Sequence, residues 1–315
     1  MQTQSDLSTW KIAPSLHWME AFAAWLHSTP SQKNRKRDIK TLEAYLSDVR
    51  QMSNWYQSRY GVEFDPSQMN SANAQEFFQQ FENTPSTYRR KKATAQLLVK
   101  WSRLVGALGC DPLEWIACPE MVEQAPRDVL PDEERRLRDV AESFEKDGTL
   151  IGFRDSLIFH LMLDAGLRVS EVIEMKLSDL DFDNEKIHVL GKGKKHRWVY
   201  MRKTLNQRIR NWLDRKPVSI NDTLITSESG SAIRREEAYR RFVRLADSAN
   251  VKATPHYMRH QFVMNYMAAY MRGDPSHFAA ALTAASQETG DLEAVLLKYY
   301  TGPRESDMRA AMDAM

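Results

Sequence analysis

The chain has 315 residues, 42% hydrophobic and 27% charged, with a formal net charge of only +2. That composition supplies a core for two domains or one large one and excludes wholesale disorder. Residues 157–163 form the longest apolar run and His160 interrupts it, so no stretch approaches the ~18 residues of a membrane span; residues 1–9 are polar and lack a signal-peptide core, so a cytoplasmic protein is expected.

The first third reads as helical. Leu16, Met19, Ala23 and Leu26 recur at helical spacing, as do Leu42, Leu46, Val49, Met52 and Trp55 over residues 39–60. A short helix over 73–81 takes Ser71 as its cap. The next, over 87–108, carries Arg89, Arg90, Lys91, Lys92, Lys100 and Arg103 without an acid, and Gly109-Cys110-Asp111-Pro112 stops it. Residues 1–120 thus form a small all-α module, and the unpatterned, proline-containing 118–128 reads as a linker. Cys110 and Cys118 have no partners at disulfide or metal spacing, so two reduced thiols and no metal site are expected.

Residues 126–315 form a second, mostly helical domain. Pro131-Asp132-Glu133-Glu134 opens a helix whose acids suit the helix dipole. Residues 152–164 are apolar all round and predict a buried helix, followed by the turn Ala165-Gly166-Leu167-Arg168 and a helix from Ser170. The period then changes. Residues 186–190 and 196–201 alternate around Gly191-Lys192-Gly193-Lys194-Lys195, which predicts a β-hairpin. Helical spacing returns over 205–213, 235–248, 257–271, 278–285 and 292–300. The fold class is mainly α with a small β-sheet.

Charge distribution says more than net charge. Residues 191–216 hold ten Lys/Arg against the single acid Asp214, and Arg234, Arg235, Arg240, Arg241 and Arg244 form another cluster. Separate basic stretches in a balanced chain suggest a surface that follows a phosphate backbone, with Arg89, Arg90, Lys91, Lys92, Lys194, Lys195, Arg197 and Arg241 as candidates. Arg168 precedes a helix N-terminus, where a phosphate contact is plausible. Lys192 stands between two glycines at a hairpin tip and could give a proton to a leaving oxygen. His256 and Arg259 share one helix face and suit a single phosphate. Tyr299 and Tyr300 end a helix, and a phenol there needs cations to become a nucleophile.

The order Arg168, Lys192, His256-x-x-Arg259, Tyr299/Tyr300, within Ala165-Gly166-Leu167-Arg168-Val169-Ser170-Glu171 and Pro255-His256-Tyr257-Met258-Arg259-His260, resembles the tyrosine recombinase (phage integrase) family. Thr41-Leu42-x-x-Tyr45 and the basic helix over 87–103 are similar to that family's SAM-like core-binding domain. The resemblance implies an α+β catalytic domain, double-stranded DNA with a specific recombination site as partner, a homo-tetramer on synapsed DNA and no cofactor. It also implies roles: Arg168 and Arg259 grip the scissile phosphate, Lys192 protonates the 5′-oxygen, His256 assists, and one tyrosine forms a 3′-phosphotyrosyl link. Met308, Ala311 and Met312 share a helical face that would suit docking on a neighbouring protomer. Between the two tyrosines, Lys298-Tyr299 resembles the basic-Tyr pair of the family's nucleophile and favours Tyr299, whereas the downstream Tyr300-Thr301-Gly302 resembles the family's Tyr-Thr-His and favours Tyr300.

One departure stands out. The family has Leu-Gly-His, or Trp for His, about nine residues before the nucleophile, whereas residues 282–291 read Leu-Thr-Ala-Ala-Ser-Gln-Glu-Thr-Gly-Asp and suggest an insertion. Two alternatives therefore stay open: a non-catalytic DNA-binding relative, and a type IB topoisomerase-like DNA-relaxing enzyme.

Overall fold

The computed structural model describes residues 17–30, 36–120, 129–191, 195–219, 221–301 and 312. It divides into two units, residues 1–123 and 124–315.

In the first unit, α1 (Trp18–Ser28), α2 (Ile39–Tyr60), α3 (Ser71–Gln79) and α4 (Pro85–Leu104) enclose an aromatic core. Tyr88, Ala95, Leu98 and Val99 of α4 point inward at intervals of three, four and seven residues, and Trp101 packs against Phe22 with ring centroids 5.6 Å apart. The cap of α3 is Asn70 rather than Ser71. Its Oδ1 accepts from the Asn73 N–H at 3.1 Å, and the Asn73 side chain accepts from the Asn70 N–H at 3.0 Å, a reciprocal pair that a serine one residue later does not form. α4 ends at Leu104, short of the expected 108, with Gly106 in the left-handed region.

The second unit is arranged around α6 (Leu150–Asp164), packed by α5 (Pro131–Lys146), α8 (Lys203–Leu213), α9 (Arg235–Ser248) and α10 (Pro255–Met271). Neighbours on several sides explain why α6 is apolar all round: Leu157, Ile158, Phe159, Leu161 and Met162 are each at most 1% exposed. Burial of each such side chain contributes about 1.5–3 kcal/mol. The expected hairpin is present as β2 (Lys186–Leu190) and β3 (His196–Tyr200), antiparallel, with Ile187 opposite Val199 facing the core and His188 opposite Trp198 facing out. A two-residue strand, β1 (Leu180–Asp181), adds an edge that alternation over so short a run does not reveal.

Two turns place the chemistry. After α6, Gly166 has φ +62°, and a Cβ there would lie 2.3 Å from Phe262 Cδ1 of α10, so only glycine brings the chain this close. It delivers Arg168 to the start of α7 (Val169–Glu174). At the far end, α11 (Phe278–Thr289) runs four residues beyond its expected limit before Gly290, φ +67°, stops it; Asp291 follows, and then α12 (Glu293–Thr301). Of the stretch read as an insertion, residues 282–289 are continuous helix and Gly290-Asp291 ends it.

Candidate active site

Arg168, Arg259 and Asp291 meet at one point in the second unit. Arg168 Nη2 donates to Asp291 Oδ1, while Arg259 reaches Oδ2 through Nη2 at 2.6 Å and Nε at 3.0 Å. Arg259 is 3% exposed. Its remaining hydrogen bonds go to backbone carbonyls, Nη1 to Gly166 O and Nη2 to Thr289 O, each at 2.5 Å. The α6–α7 turn and the end of α11 therefore fix its plane. Burial pulls the Arg259 pKa down, opposed by the Asp291 carboxylate.

Behind this pair stands Glu171. It accepts from the Arg168 backbone N–H at 2.9 Å and from Arg168 Nη1 at 2.8 Å. Arg197, on β3, closes on both its oxygens at 3.1 and 2.9 Å and also donates from Nε to Glu288 O at 2.8 Å. Burial pushes the Glu171 pKa up, but the Arg197 hydrogen bonds and charge and the Arg168 N–H outweigh it, so the carboxyl titrates below its ordinary range.

His256 starts α10 one turn before Arg259 and is exposed at the residue level. Its ring meets His260 edge to face, centroids 4.1 Å apart. Partial burial, then the Arg259 charge, lowers the His256 pKa; burial and His256 lower that of His260 to about 4. Both imidazoles are thus neutral near pH 7.

Of the expected site residues, the structure brings together Arg168, His256 and Arg259. Lys192 and Lys194 lie outside the described residues. Tyr299 and Tyr300 belong to the last turn of α12, and their side chains lie outside the described residues. So do Met308 and Ala311; Met312 is described and exposed.

Several candidate phosphate contacts are placed otherwise. Lys91 is 4% exposed, its Nζ 3.1 Å from Asp48 Oδ1 and also bonded to Gln51 Oε1, because α2 presents an acid to this face of α4. Lys91 is thus buried and paired where the acid-free run suggested an exposed side chain. Arg197 is likewise committed to Glu171, with a side chain 10% exposed. Lys92 donates to Ile116 O, and Arg241 pairs with Glu237 at 3.3 Å and with Asp155 at 3.8 Å. Arg89, Arg90 and Lys195 are exposed; Arg89 donates to Pro119 O and Arg90 pairs with Asp48.

Sequence reasoning missed Glu171 and Asp291. The first had a signal, an acid three residues after Arg168 at a helix start. The second had a weaker one, a carboxylate directly after the glycine that ends α11.

The model of the phage integrase family matches residues 128–272. Among curated proteins, the chain is 29% identical over 178 residues to a tyrosine recombinase XerC of Corynebacterium glutamicum, covering 56% of this chain and 57% of that one. It is 24% identical over 262 residues to XerC of Vibrio cholerae serotype O1, covering 79% of each. Among solved structures it resembles XerH site-specific recombinase bound to a palindromic difH substrate, with TM-score 0.66, 15% identity and 94% of both chains covered.

Proposed function

We propose that the chain, which the phage integrase family model matches over residues 128–272 and which is similar to XerC tyrosine recombinases, is a site-specific DNA recombinase that cuts and rejoins strands through a 3′-phosphotyrosyl intermediate. The observation that carries this reading is the convergence of Arg168 and Arg259 on the two oxygens of a single anion. Two guanidinium groups held this way suit the non-bridging oxygens of a phosphodiester, whose charge grows in the transition state.

The tyrosine oxygen attacks phosphorus, the new O–P bond forms, and the bond to the 5′-oxygen breaks. Lys192 delivers the proton that the departing oxygen needs. His256, neutral and beside Arg259, accepts the phenolic proton. Attack by the 5′-hydroxyl of a partner strand reverses the step, and the bond energy is conserved in the protein–DNA link. The count of residues supports Tyr300 as nucleophile: Asp291 stands nine residues before it, at the distance where the family carries its His or Trp.

Double-stranded DNA with a specific recombination site is the partner of this reading. The solved XerH structure was obtained with a difH substrate. Residues 1–120 act as the core-binding domain and 126–315 as the catalytic domain, with the exposed Lys195 available to phosphates and the exposed Arg89 and Arg90 reaching them by leaving Pro119 O and Asp48. The working assembly is a homo-tetramer on two duplexes, integrating, excising or resolving a mobile element in the cytoplasm. Among the described residues no helix is long and apolar enough to cross a membrane.

A second reading, a DNA-binding relative without turnover, draws on the carboxylate of Asp291 at the point where the phosphate must sit. A duplex nicked just past the cleavage position separates the two. A recombinase traps itself covalently on this substrate and survives denaturation as a protein–DNA band. A non-catalytic relative binds the duplex and leaves no band.

A further inference from the structure

We propose that Asp291 is a resident anion in the phosphate seat, which the scissile phosphate must displace before the strand is cut. The proposal rests on the recombinase reading for the identity of the incoming phosphate.

The seat has little spare capacity. Arg259 has already given Nη1 to Gly166 O and one Nη2 hydrogen to Thr289 O. Its Nε and its other Nη2 hydrogen, the donors aimed at the site, are both on Asp291 Oδ2. Arg168 has given one Nη1 hydrogen to Glu171 and one Nη2 hydrogen to Asp291 Oδ1 and keeps further N–H donors, so Arg259, whose site-facing donors are both taken, sets the limit. A phosphate oxygen that binds both guanidinium groups must therefore take the place of a carboxylate oxygen. Two anions in one seat repel, so occupancy is exclusive.

The same carboxylate has a use before DNA arrives. The Arg168 charge disfavours the charged form of Arg259, and the Asp291 carboxylate offsets this. It keeps the clamp assembled at the cost of competing with substrate.

Displacement is local. The Asp291 backbone is held, its carbonyl accepting from Ser286 Oγ at 2.7 Å and its N–H donating to Thr289 Oγ1 at 3.3 Å. The side chain is 24% exposed, so rotation about its own bonds carries the carboxylate to water. The affinity for phosphate is then reduced by the fraction of molecules whose seat is open. Because Asp291 lies two residues before α12, which carries Tyr299 and Tyr300, this competition acts beside the nucleophile's own helix.

The test uses the full chain and inorganic phosphate. Dissociation constants come from the thermal midpoint against phosphate concentration at constant ionic strength, for wild type, Asp291→Asn, Asp291→Ser and Asp291→Asn/Arg168→Ala. Opening the seat is expected to tighten phosphate binding roughly tenfold or more in either single variant, and the double variant to lose the gain. The serine variant carries the test if the asparagine variant does not fold. On the nicked duplex at saturating concentration, the single variants should form the covalent band faster than wild type. Equal or weaker phosphate binding in the variants overturns the proposal, as does slower band formation. Tighter phosphate binding with no band in any protein, wild type included, leaves the seat assignment standing and removes the recombinase reading instead.

Discussion

Glu171 and Arg197 face each other as a two-pronged pair, Nη1 to Oε1 at 3.1 Å and Nη2 to Oε2 at 2.9 Å, with the carboxylate 6% and the guanidinium 10% exposed. The pair ties the sheet to α7, and through Glu171 it supports Arg168. Removing one partner of a buried ion pair leaves an uncompensated charge. Glu171→Gln is therefore expected to lower stability by about 3 kcal/mol, read as a fall in the urea midpoint at unchanged slope. A midpoint within error of wild type would show that the fork carries no weight.

The Gly166 turn makes a separate claim. A Cβ at this position meets Phe262 Cδ1 at 2.3 Å, and φ is +62°. Gly166→Ala should cost roughly 1–3 kcal/mol from strain and overpacking. Gly166→Ala/Phe262→Leu should recover part of that loss relative to Phe262→Leu alone, since the smaller side chain relieves the clash but not the backbone. Simple additivity of the two changes would mean that the close approach is not what demands glycine.

How much of this could be read beforehand differs between elements. The apolar α6 and the alternating β2 and β3 were legible because periodicity records burial directly. Arg168, His256 and Arg259 were legible through their order along the chain. Lys91 was misjudged because it sits in an acid-free run on its own helix, and its partner Asp48 comes from another helix 43 residues earlier. The reach of α11 was misjudged because Ser286, Gln287 and Thr289 break the apolar pattern, although Thr289 is buried with Oγ1 bonded to Ala285 O. Asp291 escaped notice because its one local mark, a place directly after the glycine that ends α11, does not identify its partners, arginines 123 and 32 residues away.

The histidines predict a pH dependence. His260 has its pKa lowered to about 4, first by burial and then by His256, and His256 is lowered in the same direction by burial and Arg259. A depressed imidazole binds fewer protons in the folded state than in the unfolded one. Its contribution to stability is complete above the unfolded value of about 6.5 and is lost as pH falls from there toward the folded value. Imidazole NMR titration should place both residues below 6.5, and His260→Gln should flatten the loss of stability between pH 6.5 and 4. Titration of His260 above 6.5 would contradict the burial seen in α10.

The clamp and the proton donor predict different kinetic signatures. Arg168→Ala and Arg259→Ala should each lose roughly 10²-fold or more in cleavage while DNA binding is mostly kept, because other basic residues hold the backbone. Lys192→Ala should block cleavage of ordinary DNA, and a 5′-bridging phosphorothiolate, whose leaving group needs no proton, should restore it. If that substrate rescues Lys194→Ala and not Lys192→Ala, the donor is the other lysine.

The central claim is a covalent bond between one tyrosine of α12 and DNA. Adjacent helical positions point about 100° apart, so a single phenol can address the phosphate held by Arg168 and Arg259. Tyr299→Phe and Tyr300→Phe, each lacking only a phenolic oxygen, are compared on the nicked duplex by denaturing gel. The account predicts no protein–DNA band from Tyr300→Phe and a band from Tyr299→Phe. A band from Tyr300→Phe with none from Tyr299→Phe would move the nucleophile by one residue. A band from both variants would contradict the recombinase mechanism itself.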